Sequence, residues 1–140
     1  MSQHNKSLPI VLFGLRASVF LVMFVWTLDK FINPDHAAKV YESFYFIGGL
    51  ESSVMRIVGI MELIILVAFL VGWYKKFSYG LVLVLHAVST LSAFKYYLSP
   101  FESPHLLFFA AWPMLAACVA LFLLRDEDVV LTIRQPLSKP

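Results

Sequence analysis

The chain has 140 residues, 60% of them hydrophobic and only 14% charged, with a net charge of +2. A soluble domain of this size is nearer half apolar and a quarter charged, and it buries only part of its surface, so the apolar excess cannot be hidden in a water-facing core. The basic residues are scattered, which excludes the basic stripe of a nucleic-acid surface, and the single cysteine, Cys118, excludes an intrachain disulfide.

In chain order, a short polar stretch with His4 and Lys6 leads into an apolar run over residues 8–28. The run is too long for a signal-peptide core and is followed by Thr27-Leu28-Asp29-Lys30 rather than a small-x-small cleavage pattern, which predicts a retained first span. Crossing a hydrocarbon layer takes about 20 helical residues at ~1.5 Å each. Three further runs approach that length, at residues 54–73, 77–94 and 105–124. Helices are the expected form, because backbone amides in lipid must bond within their own segment, and the alternation of barrel strands is missing.

The first connection predicts a short interfacial helix. Asn33 suits an N-cap with Pro34 behind it, Ala37, Val40, Tyr41 and Phe44 give an apolar face, and Gly48-Gly49 gives a stop. Ser52 or Ser53 can cap the second span. Lys75-Lys76 makes a tight hairpin between spans two and three, and a polar turn with two prolines leads into the fourth. The tail, residues 125–140, reads as a loose extension whose Arg125-Asp126-Glu127-Asp128 run is a solvated helix end. The predicted fold is therefore all-α: one domain, a four-transmembrane-helix antiparallel bundle with an interfacial helix in its first outer loop. Lys6, Lys75, Lys76, Arg125, Arg134 and Lys139 flank one side against Lys30, Lys39 and Lys95 on the other, which places both termini in the cytoplasm.

An ionisable group at bilayer depth costs roughly 2.5–3.5 kcal/mol on insertion scales, so it needs a reason to be there. Arg16, Glu62 and His86 qualify, and counting from the presumed cytoplasmic span ends puts them, with Trp112, within about 6 Å in depth. Arg16, Phe20, Met23, Thr27 and Lys30 share a helical stripe. So do His86, Ser89, Thr90, Ala93 and Tyr97, and so do His105, Phe108, Trp112 and Ala116. The expected packing turns all of these inward. Two readings follow. Arg16 and Glu62 form a buried ion pair that serves assembly alone, with His86 bonded to a Ser or Thr; or Glu62 and His86 line a midplane pocket for a small hydrophobic ligand, with Arg16 beside Glu62 and Trp112 as a stacking wall. Lys30, Arg56 and His105 are polar groups toward the outer face. A third reading is a small-solute or proton pathway along Lys30, Arg56, Glu62 and His86. His86 and His105 differ in depth, which argues against a bis-histidine haem, and His36, Glu102 and His105 lack metal-ligand spacing, so no metal is expected. Cys118 reads as packing, and no nucleophile–base set or nucleotide loop is present.

Phe24-Val25-Trp26-Thr27-Leu28-Asp29-Lys30-Phe31 with Asn33-Pro34, then Arg56-Ile57-Val58-Gly59-Ile60-Met61-Glu62-Leu63, resembles the DoxX family of small four-helix bacterial membrane proteins. The family's early arginine, outer-end lysine and G-x-x-E-L-like segment correspond to Arg16, Lys30 and Gly59/Glu62. The chain departs from the family where Thr27 or Leu28 replaces a small residue, and its second half matches only in topology. The resemblance implies the bacterial cytoplasmic (inner) membrane. Because the family includes a subunit of thiosulfate:quinone oxidoreductase, it also implies a redox setting, with a quinone as candidate cofactor. The expected function is an accessory membrane subunit, not a self-sufficient enzyme, that binds a quinone-like or small lipophilic molecule for a redox partner. A ligand-free assembly protein is the rival. The expected partners are the lipid bilayer, a membrane redox protein or further copies of the chain.

Overall fold

A computed structural model describes residues 4–133; Arg134, Lys139 and the rest of the tail lie outside the described residues. The chain is all-helical, with no strand among those residues. Helix α1 runs His4–Ile32, α2 Pro34–Tyr45, α3 Ser52–Leu70, α4 Lys75–Ser92, α5 Phe94–Leu98 and α6 Ala111–Leu123, with a 3-10 segment, His105–Ala110, leading into α6. The four long helices pack as a ring in which α1 and α4 each lie beside both α3 and α6. Leu12, Val19, Leu66, Phe69, Val82 and Leu121 meet at its centre, with Cys118 buried among them.

Three stretches are long and apolar enough to cross a membrane: Lys6–Ile32, Ser52–Leu70 and His105–Leu123. Their outward faces carry exposed Leu21, Val25, Ile57, Ile64, Val119 and Leu123, an inside-out arrangement suited to a lipid solvent. Helix α4 has 18 residues but is interrupted by polar side chains. It buries Ser78, Tyr79, His86 and Thr90 and exposes Leu81, Val84, Val88 and Leu91.

Several boundaries differ from expectation, each for a physical reason. Asn33 does sit at the α2 N-cap with Pro34 behind it, but its side chain donates to Asp29 instead of capping. Helix α2 ends at Phe46, which adopts the left-handed conformation (φ 59°), two residues before the glycines. Glu51 occupies the α3 N-cap, because the Ser52 hydroxyl is drawn to Asp35 at 2.8 Å and ties α2 to the start of α3. The fourth apolar run begins as 3-10 because Pro113 has no N–H and its ring would meet the carbonyl four residues back, so a regular α-helix cannot continue through residues 109–113.

That 3-10 segment changes which face of α6 looks inward. At 3.0 rather than 3.6 residues per turn, six residues rotate the stripe by about 120°. Trp112 and Ala116, expected inside, lie on the exposed side, and Cys118 and Leu121 take the interior.

Candidate functional site

The polar residues form two separate clusters instead of one midplane layer. Gly59 fixes their levels: a Cβ there would stand 2.8 Å from the Phe31 ring, so only glycine lets α1 and α3 approach this closely. The contact brings Lys30 to Glu62, three residues along α3. Counting back fourteen residues along α1 from Lys30 puts Arg16 about 21 Å away and level with the α3–α4 turn. The expected Arg16–Glu62 pair is therefore absent. The helix ends are not level: α1 overshoots the α3–α4 turn, so counting depth from the start of each apolar run misplaced Arg16.

Arg16 instead meets the C-terminal segment, which bends back beneath the bundle. Its Nη1 donates to Asp128 Oδ2 at 3.1 Å and to Tyr79 Oη at 3.0 Å, and Nη2 donates to the Val130 carbonyl. The Tyr79 hydroxyl donates to Asp128 Oδ2 at 2.7 Å, closing a triangle in which both charged side chains have no exposed surface. Lys75 Nζ donates to the Asp128 carbonyl, and Ile133 N–H to the Val71 carbonyl at 2.8 Å. Gly72 permits this return, because it holds φ at +64° and a Cβ on it would stand 2.6 Å from Thr132. Asp128 is thus a buried counter-ion, not part of a solvated helix end. The available signal was charge balance: an arginine inside a span needs an acid, and Asp128 was one of the few on offer.

The second cluster lies toward α2. Lys30 Nζ is 2.9 Å from Glu62 Oε2, and Tyr41 Oη donates to Oε1 at 3.3 Å. The single Thr27 hydroxyl hydrogen is shared between the Met23 carbonyl (2.9 Å) and Glu62 Oε2 (3.1 Å). Burial, then the Glu62 carboxylate, pushes the Tyr41 hydroxyl far above its ordinary range, and burial raises Tyr45 despite an opposing contribution from Ser89, so both stay protonated.

Glu62 and His86 line one cavity of about 1480 Å³, bounded by α1, α2, α4, the 3-10 segment and the start of α6. The His86 ring is fixed by its surroundings. Its Nε2 is 3.0 Å from the Ala111 carbonyl, which can only accept, so Nε2 carries the proton. Thr90 has given its hydrogen to the His86 carbonyl, so it too accepts from Nε2. Nδ1 is buried without a partner. Among the described residues no hydrogen bond joins Glu62 to His86. The aromatic wall beside the imidazole is Trp26, with ring centroids 6.2 Å apart. Trp112 does not line the cavity; it packs on Tyr97 from outside, rotated away by the 3-10 segment.

Helix α2 covers the cavity. Phe44 stacks on Tyr96 at 5.1 Å and lies 5.7 Å from Phe108, and Lys95 sits over the Phe46 ring. His105 belongs to this clamp, donating Nδ1–H to the Ser99 carbonyl at 2.8 Å and meeting Tyr96 edge-on. His36 lies at the cavity rim, 2.6 Å from Asp29. Arg56 is exposed on α3 and lines no part of the cavity. Below His86 the packed core of Leu66, Phe69, Val82 and Leu121 closes the bundle.

No family model, no curated protein and no solved structure matches the chain.

Proposed function

We propose that the chain is a four-span integral membrane protein of DoxX-like type that binds a quinone-like or other small lipophilic molecule in the α2-covered cavity and supports a membrane redox partner. The observation that carries this reading is the cavity: an apolar chamber with a few convergent polar groups, Glu62 and His86, brought in from different helices. Ionisable groups at this depth are costly and rare without a task. Lys30 and Tyr41 hold the Glu62 carboxylate in place, the Ala111 carbonyl fixes the His86 ring in the cavity wall, and Trp26 supplies the flat wall assigned to Trp112 from sequence. Helix α4 counts as the fourth span because its polar groups turn inward and its outer face is aliphatic. The excess of lysine and arginine near the termini argues for a cytoplasmic location of both, and the bacterial inner membrane is what the DoxX-like resemblance implies.

The test is purification in mild detergent of the unaltered protein and of Glu62→Gln and His86→Ala. Both variants are expected to lose co-purifying quinone or lipid and to lower quinone reduction by membranes. Unchanged retention and unchanged reduction would remove the proposal. A second, structural reading is favoured for Arg16 by its complete burial against Asp128; that residue serves assembly and not the ligand.

A further inference from the structure

The cavity is larger and longer than a compact ligand requires. Pockets for drug-sized molecules hold about 300–1,000 Å³, and this one holds about 1480 Å³. Its lining on α1 runs from Leu15 to Ile32, about 26 Å at the rise of an α-helix. Polarity changes along that length. Lys30, Asn33, Tyr41, Tyr45 and Glu62 line the end under α2, and Leu15, Val19, Met114 and Ala117 line the other.

The side of the cavity is open. Val22, Val25 and Trp26 of α1 and Leu107 of the 3-10 segment line it and are themselves exposed, so the chamber communicates with whatever bathes the outer faces of these helices. Those faces are apolar, so the bathing medium is lipid. Charge at the polar end is already matched. Lys30, the sole lining lysine or arginine among the described residues, is engaged by Glu62, and Asp29 is engaged by His36 and Asn33. An anionic head would face two carboxylates with no free ammonium, and a cationic head would have to break an existing pair in a poorly hydrated site.

We propose that the occupant is a lipid of the surrounding bilayer with an uncharged, oxygen-bearing head and a long hydrocarbon tail, entering sideways past Val22, with its head under α2 and its tail along the Leu15–Met114 end. This rests on the reading of the cavity as a ligand site. The polar end supplies donors for a carbonyl or hydroxyl head from Tyr45 and from the second Asn33 amide hydrogen. The apolar end gives the tail a wall as welcoming as the lipid it leaves, so selection rests on the head and on the shape of the slot.

The experiment uses the full chain in lipid nanodiscs with photoreactive long-chain alcohols that carry a diazirine either near the hydroxyl or at the tail end. Competitors are the carboxylic acid and the amine of the same chain, and a short-chain alcohol. The expected result is saturable labelling, with the head-position probe on Tyr41 or Tyr45 and the tail-position probe on Leu15, Val19 or Met114. Unlabelled long-chain alcohol should compete several-fold better than either charged analogue or the short alcohol, and Val22→Trp should lower cavity labelling several-fold. Equal competition by the acid or amine overturns the uncharged head. Tail labelling spread evenly over Ile57, Ile64 and Leu91 overturns the tail position. Protection of Tyr41 by the short alcohol as effective as by the long one overturns the tail inference and leaves the cavity a ligand site. Absence of saturable labelling with every probe removes both.

Discussion

At the end of the bundle near the chain termini, Arg16 and Asp128 form an ion pair with no exposed surface, sealed by the Tyr79 hydroxyl and by a returning backbone segment. At the α2 end, Lys30 and Glu62 form a slightly shorter pair that retains 10% and 17% side-chain exposure and borders a cavity. Both pairs join a cation of α1 to an acid distant in sequence, Glu62 on α3 and Asp128 in the segment after α6. What differs is what surrounds them: side chains and backbone in the first case, accessible volume in the second. A sealed pair can fix register and do little else, because nothing reaches it. A pair on the wall of a chamber can also meet a ligand.

This contrast predicts a graded set of mutational effects. The largest belongs to the sealed end. Arg16→Ala leaves the Asp128 carboxylate buried without its partner, which should cost about 3–5 kcal/mol, seen as lost folded yield and a lower unfolding temperature in detergent. Arg16→Met with Asp128→Leu should recover most of the loss. If the single variant is as stable as the parent, the sealed end is not the structural lock described here.

Lys30→Met comes next, at roughly 1.5–3 kcal/mol for charge-assisted bonds to a carboxylate that keeps some access to solvent. Its sharper signature is chemical: Glu62 should become more reactive to a carbodiimide, and Asp128 should not. Equal gains at both acids would erase the distinction between the two ends. Gly59→Ala forces Phe31 aside and should cost about 1–3 kcal/mol through overpacking. It should also loosen Lys30 from Glu62, giving a smaller version of the same reactivity change. Tyr41→Phe removes one hydrogen bond out of several on Glu62, worth about 0.5–1.5 kcal/mol. It should lower the unfolding temperature by only a few degrees while reducing retention of a co-purifying lipid. A large stability loss from Tyr41→Phe would mean that α2 is part of the core and not its cover.

The elements were largely legible in the sequence because their signals are local. Apolar runs long enough to span and Pro34 opening α2 follow from composition and turn chemistry; the hairpin after α3 was legible too, but its turn lies at residues 71–74, and Lys75-Lys76, expected to form it, open α4 instead. Glu62 and His86 were legible as well, since ionisable groups in apolar runs identify themselves. Their partners were not. Which cation meets Glu62 depends on how far α1 slides along α3, and that register is set by the Gly59–Phe31 contact, invisible to residue counting. Trp112 was misplaced because six residues wound as 3-10 turn the helix face by about a third of a revolution. Asp128 was missed because charge-rich sequence after a span reads as solvated, and only the fold-back through Gly72 and Ile133 brings it under Arg16.

The distance in sequence between Arg16 and Asp128, 112 positions, has a consequence for biogenesis. The ribosome delivers the guanidinium 112 residues before its counter-ion, so α1 carries an uncompensated charge while α2 to α6 are being made. A chain cut short of residue 128 never neutralises that charge, so the Arg16 guanidinium stays buried without its partner. A ladder of C-terminal truncations, read by protease resistance in isolated membranes, should display this as one abrupt step at Asp128 and not as a gradual decline.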